Sequence, residues 1–269
     1  MIPPAEEWRL DTQRLGRRVL VFDRVDSTNN LAAALADDPA NDGVALLARE
    51  QTAGRGQHGR SWQCPPDSGV LLSLLLFPPP ALRRPAVLTA WAAVAVCETI
   101  RRAANLQAKI KWPNDVLVRG RKVCGILIET RVQQAAPGAD LYTVAGIGLN
   151  VNQTADDFAR AELPEAGSLA FFLGQRLDRD AVARQLLHQL DEEYDRLCRG
   201  DLATLAACWK WRLGLLGRRV AAECHDATHH GRLRDLGWDA VTLETTDGVR
   251  QLPPETVRHL RAAEDRPGP

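Results

Sequence analysis

The apolar residues of the chain follow two rhythms. Between 177 and 200, "LDRDAVARQLLHQLDEEYDRLCRG" places Val182, Leu186, Leu187, Leu190, Tyr194 and Leu197 mostly three or four residues apart. That spacing puts them on one face of an α-helix, which a glycine then closes. A second helix follows in "DLATLAACWKWR" (201–212). From Pro85 to Ala104 the run "PAVLTAWAAVAVCETIRRAA" opens on proline and carries arginines in its last turns, the signature of a buried helix. "DSTNNLAAALADD" (26–38) sets hydroxyl and amide residues before an alanine and leucine run, predicting a capped helix that starts near Ser27 or Thr28.

The other rhythm is that of strands. "GVALLARE" (43–50) and "SGVLLSLLLF" (68–77) are short apolar runs, the second closed by three prolines that cannot continue it. "AKIKW", "DVLVRG", "KVCGILIETRV" and "LYTVAGIGLNVN" are rich in β-branched and aliphatic residues with turn residues between them, a meander of strands. Beyond Gly217 the segments shorten, and Asp247-Gly248 is a hairpin turn signal. The reading is α+β, with a large domain over 1–216, a small all-β domain over 217–263 and a frayed tail over 264–269.

Charge and cysteine content narrow the class of function. Lysine plus arginine number 34 and aspartate plus glutamate 34, for a formal net charge of zero. Nucleic-acid binders carry a basic excess on at least one domain, so DNA is not an expected partner. The six cysteines show no C-x-x-C pair and read as reduced, buried thiols. The N-terminus lacks an apolar signal core, and no apolar run reaches the roughly 20 residues of a membrane span. A cytoplasmic protein with no membrane contact is expected.

Three segments concentrate chemistry. In "QTAGRGQHGRSW" (51–62), Gly54, Gly56 and Gly59 stand among Arg55, Arg60 and His58, with almost nothing to bury. Glycines let backbone N–H groups approach an anion, and the two arginines can fork onto its oxygens; a solvated surface loop accounts for the composition equally well. In "KIKWPNDVLVRGRKVCGILIE" (109–129), the Trp-Pro-Asn-Asp turn gathers Lys111, Asn114 and Asp115 and returns the chain to Lys122. Two cations beside a carboxylate suit a magnesium–ATP site, and also suit a solvated hairpin end with a salt bridge. In "AGIGLNVN" (145–152), Gly146 and Gly148 mark a close approach of a ligand or another backbone, or a simple bulge. "HDATHH" (225–230) carries three histidines at a hairpin tip without partner ligands nearby in sequence, and no metal is expected there.

In their order, "DSTN", "QTAGRGQHGRSW", "KWPNDV", "RKVCGILIE" and "GIGLN", with a short β-rich C-terminus, resemble the bacterial biotin protein ligases. The resemblance implies a catalytic domain like that of class II aminoacyl-tRNA synthetases, a mixed sheet with flanking helices, followed by a small SH3-like β-barrel. It implies an ATP-dependent ligase that forms a C–N bond. Biotin attacks the α-phosphate of ATP, and biotinyl-AMP then transfers biotin to a lysine of the biotin carboxyl carrier protein of acetyl-CoA carboxylase. Magnesium and ATP serve the first step, no prosthetic group is needed, and the protein is a monomer or homodimer. Carried over by motif, Ser27, Thr28 and Asn29 line the ureido end of biotin beside Gln51. Arg55, Gly56 and Gln57 close over biotin and the adenylate, Lys122 meets the reacting carboxylate and α-phosphate, and Gly125 and Leu127 line the biotin tail. Arg60, Trp62, Lys111, Asn114 and Asp115 serve ATP, Asp115 holding magnesium, with Asn150 near the adenine and Arg261 reaching across from the small domain. Catalysis falls to Lys122, Arg55, Lys111 and Asp115. The alternatives are a lipoate–protein ligase, which shares the adenylation logic, and a non-enzymatic nucleotide-binding module.

Two departures from the family pattern matter. About two dozen residues precede "DSTN", too few for the winged-helix domain of the regulatory members, so a ligase that does not act as a DNA-binding repressor is expected. The loop, commonly G-R-G-R-x-G-R, here has Gln57 at its fourth position. An amide hydrogen-bonds an oxyanion without adding charge, so retention of the adenylate is weakened. Gln57→Arg is therefore expected to slow release of biotinyl-AMP in a single-turnover assay; an unchanged release rate contradicts this.

Overall fold

The computed structural model describes residues 2–132 and 141–263. The expected tail over 264–269 lies outside them. Along the chain run β1 (Glu6–Arg9), β2 (Arg18–Val25), α1 (Thr28–Ala34), β3 (Ala45–Gln51), β4 (Gly69–Leu76), α2 (Pro85–Ala104), β5 (Ala108–Lys111), β6 (Asp115–Val118), β7 (Arg121–Val132) and β8 (Leu141–Asn150). After them come α3 (Ala155–Arg160), α4 (Leu169–Leu173), α5 (Arg179–Cys198) and α6 (Leu202–Leu213). A last group of strands follows: β9 (Arg219–Glu223), β10 (Thr228–Leu236), β11 (Val241–Thr245), β12 (Gly248–Leu252) and β13 (His259–Ala262).

The first eight strands form one mixed sheet in the order β1-β2-β3-β4-β8-β7-β6-β5. Only β2 and β3 are parallel, joined through α1; the other neighbours are antiparallel. Every residue of β4 is buried, which explains its near-continuous apolar run: the sheet is covered on both faces. Alternate residues therefore serve two cores. Val19, Val21, Leu72 and Leu74 pack with α2, α5 and α6, whereas Leu20, Phe22, Leu71 and Leu75 pack under α1.

The remaining strands form a separate antiparallel sheet, β12-β11-β10-β9-β13. The fold is thus a mixed sheet with helices plus a small C-terminal β unit. An aromatic column ties the two together: Trp209 stacks on Trp238 at 5.0 Å and lies 5.7 Å from Trp112, whose Nε1 donates to Val257 O at 2.7 Å.

At the other end of the chain, the buried Asp191 carboxylate of α5 accepts the backbone N–H groups of Gln13, Arg14 and Leu15 at 2.7–2.8 Å. It anchors the β1–β2 connection, whose backbone donors no strand satisfies. All six cysteines are free. Burial pushes the Cys97 thiol up to about 12 and holds Cys124 well above the usual thiol range, so these two act as small apolar core residues. Among the described residues no helix is long and apolar enough to cross a membrane.

Candidate active site

The helix α1 begins where its sequence predicts, but not with the cap. Ser27 holds the N-cap position without a side-chain cap bond. Thr28 turns inward instead, and both its backbone N–H and its hydroxyl donate to Gln51 Oε1, at 2.7 and 2.9 Å. Ser73 Oγ, from the middle of the apolar β4, lies 2.7 Å from Thr28 Oγ1 and 2.5 Å from Asn29 Oδ1. The single Ser73 proton serves one of these acceptors at a time. Asn29 Nδ2 donates to Glu129 Oε2 at 2.7 Å, which fixes the asparagine amide with its nitrogen toward β7.

Glu129 also holds the glycine loop. Arg55 Nη1 and Nη2 fork onto its two oxygens at 3.0 and 2.7 Å, while Arg131 adds a third contact at 3.2 Å. The loop itself is a miniature hairpin. Arg55 bridges Ser61, Gly56 N–H donates to Arg60 O, and Trp62 N–H donates to Gly54 O. Its tip takes left-handed backbone at His58 (φ 56°) and Gly59 (φ 74°).

Trp62, at the foot of this hairpin, crosses β7 and β8 where Gly125 and Gly148 face each other. A Cβ on Gly148 would stand 2.4 Å from the indole, and one on Gly146 would stand 2.3 Å from Asn29 Oδ1. The two glycines of "AGIG" thus make room for side chains of the site itself, Trp62 and Asn29.

The far end is cationic. Lys122 Nζ pairs with Asp115 Oδ1 at 2.7 Å and lies 5.5 Å from the Trp62 ring centroid. The Trp-Pro-Asn-Asp turn, with a cis Trp112–Pro113 bond, is pinned by Asn114, whose Nδ2 donates to Ile126 O at 2.6 Å. The segment after α3 is strapped on at Lys122, whose backbone bonds Glu165 O and Gly167 N–H at 2.8 and 2.9 Å.

Between these ends lies a cavity of about 460 Å³. Ser27, Thr28, Asn29, Gln51, Arg55, Gly56, Gln57, Arg60, Trp62, Lys111, Asn114, Asp115, Lys122, Gly125, Leu127 and Asn150 all line it. Asn150 is buried with both ends of its amide engaged, donating to Gly167 O and accepting from Gln153 Nε2. Arg261 is outside the lining and pairs with Glu223; Arg258 and His259 are the residues of that segment that reach the cavity. Phe158 and residues 162–166 also form the wall, and Ser73 and Glu129 stand behind it, although the motifs give none of them a role. A lone serine inside "VLLSLLLF" was the available signal for Ser73.

The arrangement has one end of hydroxyl and amide groups, an apolar middle of Leu71, Leu127 and the Trp62 ring, and one cationic end. Residues 21–150 match the model of the biotin/lipoate A/B protein ligase family. The chain is 34% identical over 245 residues to the Bacillus spizizenii bifunctional ligase/repressor BirA, covering 90% of this chain and 74% of that protein. It is 32% identical over 271 residues to the biotin–[acetyl-CoA-carboxylase] ligase of Mycobacterium tuberculosis, covering 92% and 96% respectively. Among solved structures, the Aquifex aeolicus biotin protein ligase in complex with biotin and ATP superposes with a TM-score of 0.74 at 24% identity, covering 91% of this chain and all but 1% of that one.

Glu129 joins the loop to both α1 and β7, so Glu129→Gln should loosen the hairpin. A partly exposed ion pair contributes about 0.5–1 kcal/mol, or roughly a two- to fivefold change in equilibrium. Tryptic cleavage after Arg55 and Arg60 should rise by that factor; an unchanged rate contradicts the tie.

Proposed function

The chain belongs to the biotin/lipoate A/B protein ligase family, and we propose that it joins biotin to ATP as biotinyl-5′-AMP and passes the biotinyl group to a lysine of a biotin carboxyl carrier domain. The observation that carries this reading is the sequence of environments along one cavity: neutral polar, apolar, cationic. Biotin presents a ureido group, an aliphatic tail and a carboxylate in the same order.

The polar end separates biotin from lipoate. A ureido group has donors and an acceptor for Asn29, Thr28 and Gln51 to engage, whereas a dithiolane ring has none. Lipoate would offer this polar end no hydrogen-bond partner, a discrimination that polar sites make strongly. Trp62, resting on Gly125 and Gly148, gives the adenine an aromatic surface beside the tail.

At the cationic end the chain must hold two anions together. Arg60, Lys111, Lys122 and Arg258 line the cavity against the carboxylates Asp115, Glu162 and Glu165. The carboxylate oxygen of biotin forms a bond to the α-phosphorus as the bond to the pyrophosphate oxygen breaks. Lys122, on the rigid strand β7 and held by Asp115, is set to stabilise the charge that gathers there. The acceptor lysine nitrogen then bonds the acyl carbon, the anhydride bond to AMP breaks, and the amine loses a proton.

Magnesium fits the donor set in the mode typical of that ion, with one carboxylate and the remaining positions taken by substrate phosphate and water. Asp115 would hold it through the oxygen that Lys122 leaves free. The ion would neutralise triphosphate charge.

ATP–pyrophosphate exchange tests the reading. Exchange should require biotin and fail with lipoate, and Lys122→Ala should lower it by about 100-fold or more, the usual loss when a transition-state cation or donor is removed. Full exchange in Lys122→Ala would overturn the role given to that residue.

A further inference from the structure

The β9–β10 turn brings together three metal-ligating side chains that no part of the proposed ligase reaction uses. Cys224, Asp226 and His229 place their donor atoms within 4.8 Å of one another. The turn is closed by Cys224 N–H donating to Ala227 O at 2.9 Å, which folds the thiol back toward the first residues of β10. Cys224 is half-buried and packs against the apolar core, His229 is half-buried on the strand, and Asp226 faces solvent. In the sequence these residues lack a recognised ligand spacing; the turn supplies the proximity.

We propose that this hairpin binds one Zn²⁺ ion through Cys224 Sγ, an Asp226 carboxylate oxygen and a His229 ring nitrogen, with water as the fourth ligand. The reasoning is chemical. Sulfur with imidazole favours zinc over the hard ions magnesium and calcium, and a carboxylate is an accepted third ligand in tetrahedral zinc sites. As the metal binds, the Cys224 S–H bond breaks, its proton passes to solvent and the Sγ–Zn bond forms.

The position gives the ion a consequence for the larger site. Glu223, next to Cys224, accepts the Arg258 N–H at 2.8 Å through its backbone oxygen and lies opposite His259 in the β9–β13 ladder. Clamping the turn steadies the segment that carries Arg258 and His259 to the cavity. One nearby charge opposes it: Arg250 Nη1 lies 3.4 Å from His229 Nδ1 and competes for the imidazole.

The test is titration of the full-length protein with Co²⁺, followed by displacement with Zn²⁺. The expected result is one equivalent per chain, with a thiolate-to-cobalt band in the near ultraviolet that Zn²⁺ abolishes. Cys224→Ser should remove the band. Asp226→Asn and His229→Ala should weaken binding by at least roughly tenfold, a loss that even an outer partner of a metal ligand commonly causes, and Arg250→Gln should not weaken it. The far-ultraviolet circular dichroism spectrum of each variant, measured in parallel without metal, reports folding. A wild-type protein that takes up Co²⁺ without a thiolate band, or a Cys224→Ser variant with unchanged stoichiometry and spectrum, would overturn the site while leaving the ligase reading untouched.

Discussion

The carboxylate of Glu129 is where three separate parts of the chain meet. It receives Asn29 from the first turn of α1 and a two-pronged Arg55 from the glycine loop, while its own backbone lies toward the C-terminal end of β7. A loop of glycines and charged residues has little apolar surface with which to hold itself in place. Charge-assisted hydrogen bonds to a half-buried acid supply the attachment that burial does not. The same acid orients the Asn29 amide, and through Asn29 and Ser73 the order reaches Thr28 and Gln51. The loop and the polar end of the cavity are thus linked through one carboxylate.

This coupling suits the chemistry assigned to the family. A mixed anhydride must be shielded from water yet delivered to a lysine on another protein. An arginine held by an internal acid is available to a substrate anion without crossing a large distance. The polar end of the cavity is backed by β3, β4, β7 and β8, while the cationic groups sit at strand ends and on connecting segments. The shape of the cavity follows from absent side chains as much as from present ones, since Asn29 and Trp62 occupy space that any side chain at Gly146 or Gly148 would take.

Much of this was legible in the sequence. Continuous apolar runs gave β3 and β4 because both sheet faces are covered, β-branched segments between turn residues gave the meander, an opening proline with closing arginines gave α2, and 3.6-residue periodicity gave α5. The motif residues converged on one cavity because strand ends and turns carry them there. What escaped detection depended on tertiary proximity. Glu129 looked like an ordinary polar residue near a strand end. Arg258 and His259 reach the cavity only because β13 pairs with β9. Ser27 had the composition of a cap, yet the groups that matter in this turn, Thr28 and Asn29, face inward to side chains 23 and 100 residues away in sequence.

The central claim is that a cavity with one neutral polar end and one cationic end handles biotin as its acyl donor. Intact-mass spectrometry of a biotin carboxyl carrier domain, incubated with the protein, ATP and magnesium plus either biotin or lipoate, tests it most directly. The account predicts a carrier carrying a single biotinyl group at its acceptor lysine, and no lipoyl adduct. An unmodified carrier, or one modified equally by both acids, would contradict it.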